Sequence, residues 1–421
     1  MTILSEIDLV IFPIYFLLIT LCVLFYNYYF VESQYKPSFI LSYFIKVLCT
    51  LAYAFLFNNY YQSGDTINFY NDAIELKNFV LQDIQNIDLY WKPVLNFWKI
   101  CEKCVISFSE SSFFIIKISS VLLIPTFGSY TSAALILGLL SHLGTYKIIQ
   151  TFTLLFPKTN FRVLFFIPSV LFWSSGIMKD GLCIFALGYL FNILEKSFRL
   201  KRINLLSISG LLILCYMLLI LKGYILISFL ICYTVRVYLL FKNQFDNKVL
   251  SSIAGFLIGA ILVIVVIGIS SVSDKFVFEN LLELSVFTQQ AILDLQGGST
   301  YEIVYDLTPM GIASALLQSF VVAFFRPFLW ESSNPLLILF SLESLAMGST
   351  LFYTFYKRTT IKLKRSPLHP VVISSLLFSI IFGTTVGFTS SNFGALMRYK
   401  IPYLLFYIAA LLVLYDESKE K

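Results

Sequence analysis

Charge is scarce in this chain, and so is histidine. Of its 421 residues only 13% are Asp, Glu, Lys or Arg, about half the share of a water-soluble domain, which excludes an ordinary soluble protein. The two histidines, His142 and His369, are far apart, so a metal centre built on imidazole is not expected and any metal needs carboxylates. A divalent cation, Mg or Mn, is the one cofactor left open. The seven cysteines lie mostly within apolar runs, where a free thiol behaves as a small hydrophobe, and no disulfide framework is indicated. Cys101 and Cys104 form a CxxC that suits a disulfide or half a metal site; with no second pair and no nearby His, it reads as helix packing. The opening MTILSEID is acidic and lacks the positive region and cleavage site of a signal peptide, so the first apolar run is expected to be retained. There is no internal repeat, low-complexity linker or Gly-rich phosphate cradle, and the chain reads as one integral membrane domain, 1–421.

What the chain has is apolar surface. Hydrophobic residues make up 58%, with 43 Phe and 26 Tyr, and they gather into runs able to span a bilayer core of about 30 Å. Such runs fall at 9–30, 38–57, 129–150, 161–175, 182–195, 204–221, 224–241, 249–271, 335–356, 371–388 and 401–415. The predicted fold is therefore all-α, a polytopic protein of about 11 transmembrane helices. The runs at 161–175 and 182–195 are short for full spans.

Orientation follows the bias of Lys and Arg toward cytoplasmic loops. Lys196, Arg199, Lys201 and Arg202 form one cluster and Lys357, Arg358, Lys362, Lys364 and Arg365 another. Placing both in the cytoplasm puts the C-terminus there and the N-terminus outside. Segregation of this kind, rather than the net charge of +6, is why nucleic acid is not a predicted partner. A twelfth apolar stretch, 310–330, would reverse the second cluster if it crossed, so it reads as re-entrant or interfacial on the outer face. Two outer loops result, 58–128 and 272–334, both expected to carry amphipathic helices or function. In the first, Val94, Trp98, Cys101 and Val105 recur at helical spacing. The second is acidic, with Asp274, Glu279, Glu283, Asp294, Glu302 and Asp306.

Four segments carry candidate chemistry. Asp65, in SGDTINFYNDAIELK, sits where the chain leaves the second span and suits a general base, with Asp72 on the same helical face; the competing role is a helix terminus with Asp72 and Glu75 solvated. Lys179 and Asp180 occupy a short turn between two runs, the lysine placed to meet phosphate and the aspartate to orient it; the alternative is a cap with a snorkelling lysine. Arg326 and Glu331, in FFRPFLWESSNPL, need each other or a ligand in apolar surroundings, or else anchor the chain at the interface. Asn392, Arg398, Tyr399 and Lys400 precede the last run, with cations on the outer face against the general trend, which points to an anionic ligand. Lys46, Glu343 and His142 lie inside runs, the first two as intramembrane charges, the last as a hydrogen-bonded core residue.

An aspartate in the first outer loop, surface helices after it, many spans and a late Arg-Tyr-x-x-Pro resemble the GT-C glycosyltransferases. Gly64-Asp65 with Tyr70 is similar to that family's acidic motif, and Arg398-Tyr399-Lys400-Ile401-Pro402 to its late motif. Two runs rather than one precede the first loop, a departure from the family pattern. The resemblance implies a membrane enzyme moving a sugar, with inversion, from a polyprenyl-phosphate carrier to a glycan or lipid acceptor. Asp65 would be the base and Arg398, Lys179 and Arg326 the cations on the lipid phosphate. It implies the plasma (inner) membrane and surface-polysaccharide assembly as the setting. The alternatives are a polymerase of lipid-linked oligosaccharide repeats using Arg326 and Arg398, and a flippase or other transporter lined by Lys46, Lys179 and Glu343.

Overall fold

The computed structural model describes residues 4–101, 104–105, 109–200, 204–242, 300–303, 306, 308–360 and 368–417. The expected run at 249–271, the acidic residues from 274 to 294 and the basic positions 201–202 and 362–365 lie outside them. Among the described residues the chain is helical, with an isolated bridge between Thr300 and Asn392 and no strand. Among the described residues seven helices are long and apolar enough to cross a membrane, and an eighth is reached if a bent pair counts as one span. The protein is thus a multi-pass membrane protein. It divides into two compact units, Met1–Leu155 with Arg162–Gly223, and Phe156–Phe161 with Tyr224–Lys421.

In the first unit, α1 (Glu6–Phe30) and α2 (Lys36–Phe55, prolonged by a π turn to Tyr61) are antiparallel, Thr20 and Tyr43 sharing a 2.9 Å hydrogen bond. The next segment folds as α3 (Asp65–Gln82), the short α4 (Val94–Trp98) and α5 (Glu110–Leu123). The helical stripe expected through Cys101 and Val105 does not form. Pro93 starts α4 and the helix ends at Trp98; Phe97 rather than Trp98 is buried, Val105 is exposed, and Cys101 and Cys104 are joined in a disulfide instead of packing a helix.

Then come α6 (Tyr130–Leu155), α7 (Pro168–Trp173), α8 (Lys179–Leu200) and α9 (Leu205–Lys242). The run at 161–175 is not one spanning helix. Arg162–Phe166 form a 3-10 turn, Pro168 opens α7, and Ser174, Ser175 and Gly176 end it. The broken segment climbs beside α2, with Phe165 6.0 Å from Phe39 and Gly176 against the Tyr53 ring. Helices α6 and α8 run in the same direction: Gly181 lies beside Ser141, Asn192 donates to Thr151 at 2.8 Å, and Arg199 donates to the Leu154 carbonyl at 2.6 Å. Residues 162–178 therefore form the return pass between two parallel helices. Irregular backbone at that depth is tolerated because it is buried in protein.

The expected runs 204–221 and 224–241 are recorded as the single α9, interrupted at Lys222, whose φ of −152° and ψ of 74° are not helical. Its first half belongs to the first unit and its second half to the second.

The second unit continues with α10 (Pro309–Phe325), α11 (Pro335–Thr360), α12 (Pro370–Thr389), α13 (Phe393–Tyr399) and α14 (Ile401–Glu417). Helix α12 is antiparallel to the second half of α9, with Phe229 and Phe378 5.8 Å apart and Tyr224 and Phe382 5.9 Å apart, and to α14. Helix α11 runs alongside α14, from Ser344 at Lys400 to Tyr353 at Tyr415. Gly387 of α12 abuts Ser319 and Gly383 abuts Phe324, so α10 is also antiparallel to α12. Helices α10 and α11 thus point the same way, and residues 326–334 between them must turn back. That is the path of a re-entrant segment.

Candidate functional site

Two groups of the singled-out residues can be built up from their local structure, one in each unit. In the first, Gly64 adopts φ +127°, a conformation open to glycine, and starts α3. Asp65 is the first helical residue, exposed, in the turn where a carboxylate complements the helix dipole. Four residues on, Phe69 is buried on the same face, and the Lys179 ammonium stands over its ring at 5.4 Å while donating to Ser112 at 3.0 Å. Lys179 and Asp180 are not in a turn, as expected, but open α8.

Asp180 does not pair with its neighbour. It is buried and forms a 2.5 Å ion pair with Lys222, at the interruption of α9. Asp72, expected on the Asp65 face of the helix or else solvated, is buried and accepts from the Val105 amide at 3.2 Å. Tyr70 is held by the fold: its hydroxyl donates to the Gly128 carbonyl at 2.8 Å and its ring meets Tyr130 edge-on. Burial, with the Asp8 charge adding to it, pushes the Tyr70 phenol up to about 12, so it stays a donor. Asp8 itself, unremarked in sequence, is buried at the start of α6 and accepts from the Thr131 amide and hydroxyl at 2.9 and 2.6 Å.

Lys46 is buried in α2 and reaches the broken segment, donating to the Leu171 and Val170 carbonyls at 3.1 and 3.5 Å and to the Ser174 hydroxyl. His142 packs among Phe39 and Phe165, its ring centre 4.5 Å from that of Phe39, and its Nε2 has no hydrogen-bond partner.

In the second unit the Arg326 guanidinium meets Glu331 through one edge, Nε lying 2.9 and 3.1 Å from the two carboxylate oxygens and Nη2 closing the fork. Glu331 also accepts from the Phe328 amide at 2.8 Å, which pins the turn after α10. The Tyr301 and Phe393 rings, 5.1 Å from each other, both lie against the guanidinium carbon at 5.1 and 5.0 Å. Tyr301 is placed by its amide on the Ser391 carbonyl at 3.1 Å and its hydroxyl on the Gly387 carbonyl at 3.2 Å. Burial raises the Tyr301 phenol, opposed by the Arg326 cation.

Lys400, one of the cations expected to meet an anionic ligand, is fully buried at the 60° bend between α13 and α14. It donates to Ser344 at 3.0 Å and toward the Arg326 carbonyl at 3.5 Å. Asn392, expected to bind substrate, caps α13 by accepting from the Gly394 and Ala395 amides at 2.7 and 3.3 Å. Arg398 and Tyr399 are half-buried and stack on each other at 5.5 Å.

A cavity of about 460 Å³ opens beside the Arg326–Glu331 pair. Leu317, Val321, Val322 and Ile303 form its aliphatic wall and Phe328 and Trp330 its aromatic one, with Glu302 and Gln318 completing the polar side. Phe328 and Trp330 stack at 4.8 Å and 17°. Glu302 and Gln318 were missed as site residues; no local pattern in the sequence ties them to Arg326.

Among the described residues no group of three or more His, Cys, Asp or Glu side chains is placed to hold a metal, so the protein does not supply such a ligand set there for Mg or Mn. No family model matches the chain, and neither a curated protein nor a solved structure matches it.

Proposed function

We propose that the protein is a membrane glycosyltransferase that moves a sugar from a polyprenyl-phosphate carrier to a glycan or lipid acceptor on the outer face of the cytoplasmic membrane. The observation that carries the reading is the meeting of α3 and α8 within the first unit. Lys179, more than a hundred positions from Asp65 in sequence, stands over Phe69, one helical turn beyond the exposed Asp65 carboxylate. A base and a cation on one helix face are what the chemistry requires. The acceptor hydroxyl attacks the anomeric carbon, its proton passes to Asp65, and the bond to the lipid phosphate breaks with its electron pair on the phosphate oxygen. Lys179 offsets the charge that develops there.

Mass spectrometry of lipid-linked and surface glycans from cells with and without the protein tests this. The expected result is a glycan lacking one sugar or branch, reproduced by Asp65→Asn, since losing a positioned base costs about 10² to 10⁴ in rate. Normal glycans with Asp65→Asn protein present at its usual level would sink the assignment.

A second reading, a polymerase of lipid-linked oligosaccharide repeats, is favoured by one observation. Asp65 is exposed, whereas a general base is commonly tuned by burial. Single repeats accumulating on lipid in cells without the protein would decide for it.

A further inference from the structure

The cavity at the end of α10 combines features that a phosphate site does not need. Its formal charges are Arg326 against Glu302 and Glu331, which leaves one negative charge in excess. The Nε–Nη2 edge of the guanidinium, the edge that would clasp a phosphate in a bidentate fork, is filled by Glu331. An anionic ligand would have to displace a carboxylate and enter beside a second one. Facing these groups, the Phe328–Trp330 stack presents a broad apolar platform, with Trp330 81% exposed.

We propose that this cavity binds an uncharged pyranose unit of a glycan. A pyranose has an apolar C–H face that lies flat on an aromatic ring and a rim of hydroxyls that both donate and accept. Glu302 and Glu331 accept from such hydroxyls, Arg326 donates to them, and Gln318 does both. The aliphatic wall of Leu317 and Val321 continues the cavity with a surface for the hydrocarbon of a lipid-linked saccharide. The turn that holds the pair is itself fixed from below, since Ser344 donates to the Arg326 carbonyl at 3.1 Å and Lys400 donates toward it, so the site is pre-formed. This inference goes beyond the transferase reading and does not depend on Asp65.

The test is isothermal titration of the purified full-length protein in neutral detergent with uncharged tetrasaccharides of glucose, galactose, mannose and N-acetylglucosamine, and separately with inorganic pyrophosphate. At least one tetrasaccharide is expected to bind and pyrophosphate not to. Trp330→Ala, a change at an exposed side chain that leaves folding intact, is expected to weaken the saccharide about tenfold by removing the stack. Glu302→Gln, which removes one negative charge while Glu331 still fills the guanidinium edge, is expected to leave the protein unable to bind pyrophosphate. The proposal falls if no tetrasaccharide binds folded protein, if Trp330→Ala binds as the parent does, or if pyrophosphate binds and Glu302→Gln tightens it. Saccharide binding to a protein whose deletion leaves cellular glycans unchanged would keep this site and remove the transferase reading instead.

Discussion

Lys46, Lys222 and Lys400 are buried, and each lies at or reaches a place where helical hydrogen bonding is interrupted. Lys46 serves carbonyls of the broken segment, Lys222 is itself the non-helical residue of α9, and Lys400 sits at the bend before α14 and reaches toward the carbonyl that ends α10. An ammonium has three donors and, at Lys46 and Lys400, meets carbonyls at breaks in helical hydrogen bonding. Lys222 is matched instead by the Asp180 carboxylate. The cost of burying Lys46 was legible in the sequence; its partners, 124 and more positions away, were not, because no local period encodes them.

His369 makes a related point outside the spans. Its neutral Nδ1 caps α12 by accepting from the Val371 amide at 3.3 Å. Burial, and then the Arg236 charge, hold the imidazole below its usual range. The unfolded chain takes up this proton first, near pH 6.5. The cap therefore stabilises the protein fully above that pH and is lost as pH falls through the lower folded value. His369→Asn is expected to keep a cap worth about 1 kcal/mol and to remove this acid sensitivity. Thermal unfolding of both proteins between pH 7.5 and 5 in the same detergent measures it, and parallel pH curves would refute the account.

At the scale of elements, long apolar runs translated directly into helices. The runs at 9–30, 38–57, 129–150, 335–356 and 371–388 each lie within or across a single long helix, because a helix satisfies its own backbone in lipid. The run at 161–175 did not, since hydropathy counts apolar residues but is blind to what Pro168 and the Ser-Ser-Gly at 174–176 do to the backbone. The stripe from Val94 to Val105 misled for a similar reason. Its spacing is helical, yet Pro93 and the Cys101–Cys104 link confine the helix to one turn or so.

The seam between α6 and α8 depends on glycine rather than on apolar bulk. A Cβ added at Gly188 would overlap the Gly144 carbonyl, and one at Gly144 would overlap the backbone at Ile184 and Phe185. Close approach of this kind is how helices pack in lipid without a hydrophobic drive. Gly188→Val is expected to cost about 1–3 kcal/mol through forced separation of the helices. Gly210→Ala, whose Cβ meets only an Ile193 methyl at 3.4 Å, is expected to be neutral or to stabilise α9 by up to about 1 kcal/mol. Unfolding midpoints of the two variants in one detergent check the contrast, and equal midpoints would contradict it.

At the scale of the whole molecule, the positive-inside argument and the helix directions bear on one question, the path of residues 309–360. Hydropathy alone admits α10 as a span. Charge bias opposes it, because a full crossing would carry the cluster from Lys357 to Arg365 to the outer face. The second unit adds a geometric reason. Both α10 and α11 are antiparallel to α12, so the chain leaving Phe325 must travel back before Pro335 begins α11. The residues that make this return include Arg326, Glu331, Ser332 and Asn334, with their polar groups tied to Phe328, to Ser341 and to the Leu337 amide. A segment of that composition returns at the mouth of the protein rather than through lipid. Reporter fusions after Thr308 and Asn334 are therefore expected on one side of the membrane, the outer, and a fusion at Lys362 on the other. Fusions at Thr308 and Asn334 on opposite sides would make α10 a true span. That result would move the Arg326 cavity to the cytoplasmic face, where a saccharide on an outward-facing lipid carrier could not reach it.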